Sequence, residues 1–195
     1  MATIDVPASV RVWKIGQAAG NVRSSNNYKD NQGYNLFCQS NSRYLTWKKV
    51  PLGINLAFID DAAVRKTHFR LPDGRERDIV SGESVAFGIG GGEAFLRYAH
   101  RDVGINLKWN QDPVYEWRLF SANSQLGTPI PQNSLVAIVN DKVEPAPDFF
   151  IHFGRPPGMA DVGWTTSPGF WDSVLAFVDK HKVEIAQGAI KLLTA

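Results

Sequence analysis

The feature that most limits the fold of this chain is an internal repeat. Residues 44–58 recur without a gap 51 positions later, as residues 95–109. Five positions are identical in the two copies, including Gly-Ile-Asn-Leu at 53–56 and 104–107, and three more exchange one aromatic residue for another. Four matching residues arise easily by chance, whereas the longer pattern does not. A repeat of this length predicts a fold assembled from copies of one supersecondary unit.

Each copy belongs to a longer unit. A short apolar segment precedes the two copies, at 34–38 and 85–89, and a third lies one period further on, at 135–139. An aromatic-Arg-Leu triplet follows each copy, at 69–71 and 117–119. Aromatic and branched residues separated by Gly, Pro, Asn and Asp are typical of short strands joined by hairpins. One unit is therefore predicted to contain four strands.

Three such units are expected, but the third is incomplete. The predicted units span residues 34–82, 83–134 and 135–166. The third lacks a fourth strand before the sequence becomes helical. Residues 10–15 are the candidate for this strand, because Trp13-Lys14-Ile15 repeats the aromatic-basic-aliphatic order of the triplets. The two ends of the domain, residues 1–166, would then pair and close a ring.

Three units of about 50 residues with four strands each resemble the β-trefoil. This is the fold of ricin-B-type lectins, fascins, Kunitz-type soybean inhibitors and fibroblast growth factors. The resemblance covers about residues 8–166 and rests on repeat number and pattern. Ricin-B lectins carry a Gln-x-Trp motif near each repeat end, which this sequence lacks, so no functional residue is carried over. The resemblance implies an all-β, β-trefoil-like fold that binds ligands through its loops.

The C-terminal segment, residues 167–195, is predicted to form an amphipathic α-helix. Ser167 suits the N-cap and Pro168 the first helical position, and apolar residues then recur at helical spacing. Docking on the β-domain is the favoured interpretation, and contact with a protein partner stays open. Insertion at a membrane surface is disfavoured because the charges balance, whereas interfacial helices usually carry a strongly basic face.

A second segment outside the four-strand pattern is the polar stretch at residues 16–33. Val22 and Tyr28 are its apolar anchors. Loops of this length are typically functional or mobile.

Composition narrows the classes of function. The 21 basic and 19 acidic side chains of this 195-residue chain leave a net charge of +2, too small to predict a nucleic-acid binder. The single cysteine, Cys38, excludes an intramolecular disulfide and is interpreted as a small buried apolar residue. No apolar run of roughly 18 residues predicts a membrane span, and the N-terminus has no signal-peptide core. A cytoplasmic protein is expected, or one secreted without a classical signal peptide.

No catalytic or metal-binding pattern stands out. The four histidines have no metal-ligating spacing; they are His68, His100, His152 and His181. Cys38 paired with one of them in space is the remaining nucleophile hypothesis. The glycine-rich run at 88–92 precedes a strand-like segment, whereas phosphate-binding loops precede a helix, so a hairpin turn is predicted there. The sequence predicts no metal, no cofactor and no enzymatic activity.

The loops before the two Gly-Ile-Asn-Leu segments are the candidate binding surface. The tetrapeptide itself is interpreted as structural, since Gly permits a turn and Asn can bond local backbone. The loops are basic in both copies and lie near aromatic residues, a combination that suits anionic ligands. The candidate ligand-binding residues are Trp47, Lys48, Lys49, Arg97, His100, Arg101 and Trp109. Further basic residues expected to extend this rim are Arg65, Lys66, Arg75 and Arg77.

We therefore expect a non-catalytic, lectin-like binding module. Its loops are predicted to recognise a glycan or another anionic cell-surface ligand. The alternative is a protein-interaction role, as a protease inhibitor, cytoskeletal binder or toxin subunit, with the C-terminal helix contacting the partner.

Overall fold

A computed structural model describes residues 5–27, 33–50, 54–90, 94–102, 105–122, 125–143, 146–152, 162–167, 169–170 and 172–174. Within them the chain forms twelve β-strands, and each strand pair is antiparallel. The all-β class predicted from the sequence is confirmed. The strands are β1 Trp13–Ile15, β2 Leu36–Cys38, β3 Arg43–Trp47, β4 Leu56–Ile59, β5 Thr67–Arg70, β6 Ser84–Ile89, β7 Phe95–Tyr98, β8 Leu107–Asn110, β9 Trp117–Ser121, β10 Leu135–Asn140, β11 Asp148–His152 and β12 Val162–Thr165.

Six of the strands form a closed ring, called here the strand ring. β1 pairs with β2 and β10, β10 pairs with β9, β9 with β6, and β6 with β5. The ring closes between β5 and the segment just before β2, where Tyr34 and Thr67 form an isolated bridge with backbone hydrogen bonds of 2.7 and 2.9 Å. Closure pairs the strand edges that an open sheet would expose.

The other six strands form three hairpins that continue from the strand ring. They are β3–β4, β7–β8 and β11–β12, and each is attached by its first strand to β2, β6 or β10. The loop of the third hairpin, residues 153–161, lies outside the described residues. The first two hairpins carry the repeated Gly-Ile-Asn-Leu segments and most of the candidate site.

Three connecting segments meet in a cycle of backbone hydrogen bonds. The amide of Val22 donates to Ile130 O at 2.8 Å, that of Ile130 to Ile79 O at 3.0 Å, and that of Ile79 to Val22 O at 2.8 Å. All three side chains are fully buried. The described part of the polar segment, residues 16–27, is therefore tied into the fold at Val22. Tyr28, its other expected anchor, lies outside the described residues.

Two buried tryptophans make the same contact in different parts of the core. Trp13 on β1 donates its indole N–H to Phe150 O at 2.7 Å, and Trp117 on β9 donates to Leu96 O at 2.7 Å. Both side chains are fully buried. Their rings pack around Phe150, with centroids 5.3 and 5.8 Å away. Hydrogen bonding lets these large side chains fill the core without leaving an indole donor unpaired.

A second apolar cluster lies on the other face of β10. Alternate residues of this strand point to opposite faces, so Val136 and Ile138 join the main core while Ala137 and Val139 join the second cluster. The second cluster is completed by residues from both ends of the chain and from β9 and β11, namely Val6, Val10, Phe120, Phe149, Phe170 and Val174.

The predicted C-terminal helix begins with helical backbone at Phe170 and at 172–174. The Phe170 ring lies 5.2 Å from that of Phe120 and 5.1 Å from that of Phe149. The described start of the segment therefore packs on the domain. Residues 168, 171 and 175–195 lie outside the described residues, so the helix beyond its first turn stays a prediction.

The strands on either side of the glycine-rich run, β6 and β7, pair antiparallel as the hairpin predicted at residues 88–92 requires, but the first strand extends further into the run than expected. Gly88 lies within β6, which extends to Ile89, and pairs with His68 of β5. A Cβ atom at Gly88 would lie 2.1 Å from Cε1 of His68, so the imidazole occupies the space of a side chain. Gly90 follows with a positive φ of 119°. Residues 91–93 lie outside the described residues.

Candidate binding site at two hairpin loops

The repeated asparagine holds each hairpin loop in shape. In the first hairpin, Asn55 accepts the Lys48 N–H on its backbone oxygen at 3.3 Å and the Val50 N–H on Oδ1 at 3.1 Å. In the second, Asn106 accepts the Ala99 N–H at 3.2 Å and the Arg101 N–H on Oδ1 at 3.0 Å. The structural interpretation of this asparagine is confirmed. The preceding glycines, Gly53 and Gly104, lie outside the described residues.

The two loops contribute to one surface depression of about 290 Å³. The first hairpin provides Ile54 and Asn55. The second provides Arg101, Leu107, Lys108 and Trp109. A depression of about 370 Å³ is lined by His100, Arg101, Asp102 and Lys108. Arg101 and Lys108 line both, so the structure brings the two repeat copies together around these two cations.

The predicted cations differ in how firmly they are held. The side chains of Lys48, Lys49, Arg97 and His100 are exposed. Arg101 is half-buried, and its Nη1 donates to Leu107 O at 3.4 Å across the hairpin. The hydrogen bond and the partial burial both restrict the rotamers of Arg101.

The two predicted tryptophans have different environments. Trp47 is 46% exposed at the end of β3, and its Cβ lies 3.4 Å from the position of a Cβ built on Gly90. Trp109 is half-buried, packs against the main core and lines the shared depression. Its Nε1–H is buried and has no acceptor among the described residues. Trp109 therefore has a structural role in the core, and part of its surface faces the depression.

Charge pairing distinguishes this surface from Arg77, one of the further basic residues expected to extend it. Among the described residues, none of the basic side chains Lys48, Lys49, Arg97, His100, Arg101 and Lys108 forms an ion pair. By contrast, Arg77 is paired with Glu83 and, at 3.3 Å, with Asp73. Arg77 is therefore less suited to extend the basic rim than a cation without an ion pair, because Glu83 and Asp73 offset its charge. Arg65 and Arg75 are exposed and Lys66 is half-buried, and none of the three lines either depression.

Lys108 is the site residue that the sequence analysis missed. It follows the repeated Gly-Ile-Asn-Leu in the second copy, at the position where the first copy has Ala57. Its place opposite Arg97 follows from the register of β7 and β8, which pairs these two residues directly. A difference between the copies at an exposed strand position was the available signal.

A buried carboxylate fixes the second hairpin against the strand ring. Glu116 accepts hydrogen bonds from the Tyr98 backbone N–H and from Asn140 Nδ2, the latter at 2.9 Å. Burial raises the pKa of the Glu116 carboxyl, while the two hydrogen bonds and the charge of Arg97 act in the opposite direction. This contact ties β7 to β10 and so positions the strand that carries Arg97.

The nucleophile hypothesis has a geometric counterpart away from this surface. Cys38 Sγ lies 3.0 Å from Ser40 Oγ, which lies 3.1 Å from His152 Nδ1. Cys38 is fully buried, so a substrate cannot reach its sulfur without a rearrangement. In the described part of the chain, no three His, Cys, Asp or Glu side chains are grouped to hold a metal ion. No helix in that part has the length and apolar character needed to cross a membrane.

Comparison of the chain with protein-family models, with curated proteins and with solved structures finds no match. The functional assignment therefore depends on the geometry and chemistry of the two hairpin loops.

Proposed function

We propose that the chain is a β-trefoil of three four-strand units with β1 as the last strand of the third unit. The closed strand ring with its three hairpins supports this assignment. So does the cyclic hydrogen bonding of Val22, Ile79 and Ile130, because each connecting segment makes the same contact with the next. The matching indole contacts of Trp13 and Trp117 relate the third unit to the second.

The proposed function is non-catalytic binding of an anionic glycan at the two hairpin loops. The observation that carries this proposal is the depression lined by both copies of the repeat, with Arg101 and Lys108 at its border. A guanidinium presents several N–H donors in a fixed plane and suits anionic oxygen atoms. Cations without internal ion pairs give the surface a positive potential that attracts such a ligand.

The aromatic residues favour a sugar over a simple anion. Trp109 lines the same depression as the two cations, and Trp47 exposes nearly half of its surface at the end of the first hairpin. Indole rings combine a large apolar surface with a polar N–H group, as binding surfaces commonly require. A sugar ring offers the complementary combination of an apolar face and a hydroxylated rim. In the proposed site, the cations of the loops bind the anionic groups of the glycan, and the tryptophans contact the apolar faces of its sugar rings.

Binding to a panel of immobilised anionic and neutral glycans tests this function. We expect the full chain to bind anionic glycans saturably, with affinity that falls as salt increases, because exposed charges are screened. Arg101→Gln is expected to raise Kd about 10-fold, which corresponds to about 1.4 kcal/mol. Arg75→Gln is the matched control, since Arg75 is an exposed arginine that lines neither depression.

Two results would count against the proposal. Absence of binding across the whole panel would remove the glycan assignment and favour the protein-interaction alternative. Equal affinities of wild type and Arg101→Gln for the glycan would show that the binding site does not lie at these hairpin loops. Thermal denaturation of each variant shows whether a lost affinity reflects a lost fold.

A further inference from the structure

The second hairpin holds two cations directly opposite each other. β7 and β8 are antiparallel, and their register pairs Arg97 with Lys108. Residues in direct register project from the same face of a hairpin, and like charges at such positions are destabilising. Both side chains are exposed. Arg97 donates from Nε to Tyr98 O at 3.3 Å, and its two terminal nitrogens make no hydrogen bond within the described residues.

The charge of the buried Glu116 carboxylate attracts Arg97, but within the described residues no carboxylate forms an ion pair with Arg97 or Lys108. Glu116 is buried, and its carboxylate accepts from the Tyr98 N–H and from Asn140. Asp102 is exposed on the border of the 370 Å³ depression and forms no ion pair within the described residues. Among the described residues, the opposed cations therefore have no carboxylate in direct contact, so a bound anion would stabilise them.

We propose that Arg97 and Lys108, together with Arg101, bind one sulfate ester of the glycan, an inference that rests on the proposed function. Lys108 belongs to the cross-strand pair and also lines both depressions with Arg101, so it joins the pair to the binding surface. A sulfate ester has three free oxygens, one for each of three cationic donors. A carboxylate offers two oxygens in one plane, whereas the three sulfate oxygens point in three directions, so we expect the site to prefer sulfate.

Calorimetric titration with a sulfated oligosaccharide and with its chemically desulfated counterpart tests the subsite. The desulfated oligosaccharide keeps its carboxylates, so it separates sulfate recognition from general anion binding. We expect wild type to bind the sulfated form at least about 10-fold more tightly, from the strength of charge-assisted hydrogen bonds. Arg97→Gln and Lys108→Gln should each remove most of this preference, and Arg75→Gln should leave it unchanged.

Lys108→Glu provides a second and independent measurement. It replaces a like-charge pair by an opposite-charge pair, so we expect the melting temperature of the ligand-free protein to rise by about 2 °C while sulfate preference is lost. A melting temperature below that of wild type would contradict the argument from opposed cations.

The outcomes separate the subsite from the wider function. Equal binding of the sulfated and desulfated forms by wild type would overturn the sulfate subsite and leave anionic glycan binding intact. Unchanged sulfate preference in Arg97→Gln and Lys108→Gln would place the ester elsewhere on the protein. Binding of neither form would overturn both proposals.

Discussion

Trp117→Ala is expected to lower the free energy of unfolding by about 3–5 kcal/mol, the usual cost of removing a large aromatic side chain from a core. Trp117 is fully buried, and its ring contacts those of Phe87, Phe150 and Trp164 at centroid distances of 5.2, 5.8 and 5.8 Å. The substitution leaves a cavity and leaves the Leu96 carbonyl without its indole donor. Urea denaturation followed by intrinsic fluorescence measures the loss.

Trp117→Phe is the control that separates packing from hydrogen bonding. Phenylalanine keeps an aromatic ring in the core and removes the N–H donor, so a smaller loss of about 0.5–1.5 kcal/mol is expected, the usual net contribution of one hydrogen bond. If Trp117→Ala unfolded within about 1 kcal/mol of wild type, a value typical of ordinary substitutions, Trp117 would not be the core contact described above.

Acidification from pH 7 to pH 4 is expected to remove about 3 kcal/mol of stability through His68 alone. Burial, together with the nearby charge of Arg70, lowers the pKa of His68 from 6.5 to about 4. The imidazole packs against Gly88 and lies 5.3 Å from the ring of Phe95, so protonation would place a charge in this apolar setting. The unfolded chain has no such cost.

The sign of this effect follows from the direction of the shift. Above pH 6.5 the imidazole is neutral in both states, and the folded state has its full stability. Between pH 6.5 and about 4 the unfolded chain takes up a proton that the folded protein does not, so stability falls. Glu116, Asp141 and Asp148, whose pKa values burial raises, act in the opposite direction. Their contribution is complete at low pH and is lost as pH rises through their folded pKa values.

A comparison with His68→Gln isolates the histidine. Both proteins share the opposing carboxylates, so the difference between their unfolding free energies reports on His68. Denaturant titrations at several pH values between 7 and 4 should show wild type losing stability more steeply than the variant. Parallel pH profiles for the two proteins would show that His68 titrates normally in the folded state.

The sequence was most informative where a repeated pattern had a local cause. The Asn55 and Asn106 hydrogen bonds lie within single loops, so the repeated tetrapeptide alone predicted their structural role. The apolar segment at 135–139 likewise marks β10, because a continuous apolar run suits a strand that is buried on both faces.

Features that depend on tertiary pairing were not visible in the sequence. Val22, Ile79 and Ile130 are 57 and 51 positions apart, so the unequal spacing hides their common role. The space that Gly88 gives to the His68 ring follows from the pairing of β5 with β6. A glycine that permits a turn and a glycine that makes room for a neighbour look alike in a sequence.

In the candidate site, too, local features could be predicted from the sequence and features that depend on strand pairing could not. The basic loops were recognisable because both copies carry basic residues at corresponding positions, as with Lys49 and His100. The opposition of Arg97 and Lys108 required the hairpin register, since these residues lie 11 positions apart. The net charge of +2 gives no sign of this surface, because it sums all charges of the chain. It does not distinguish cations without an ion pair at the hairpins from ion-paired ones such as Arg77.

The first two hairpin loops are proposed to form one binding surface together. An NMR titration of the full chain with the sulfated oligosaccharide tests it most directly, since backbone amide shifts locate the ligand residue by residue. We predict that the largest changes fall in both loops, at Lys48–Val50 and at Ala99–Arg101, and at Lys108, with little change at Ile79 and Ile130. Changes confined to one loop, or centred on the Val22, Ile79 and Ile130 cycle, would contradict the account.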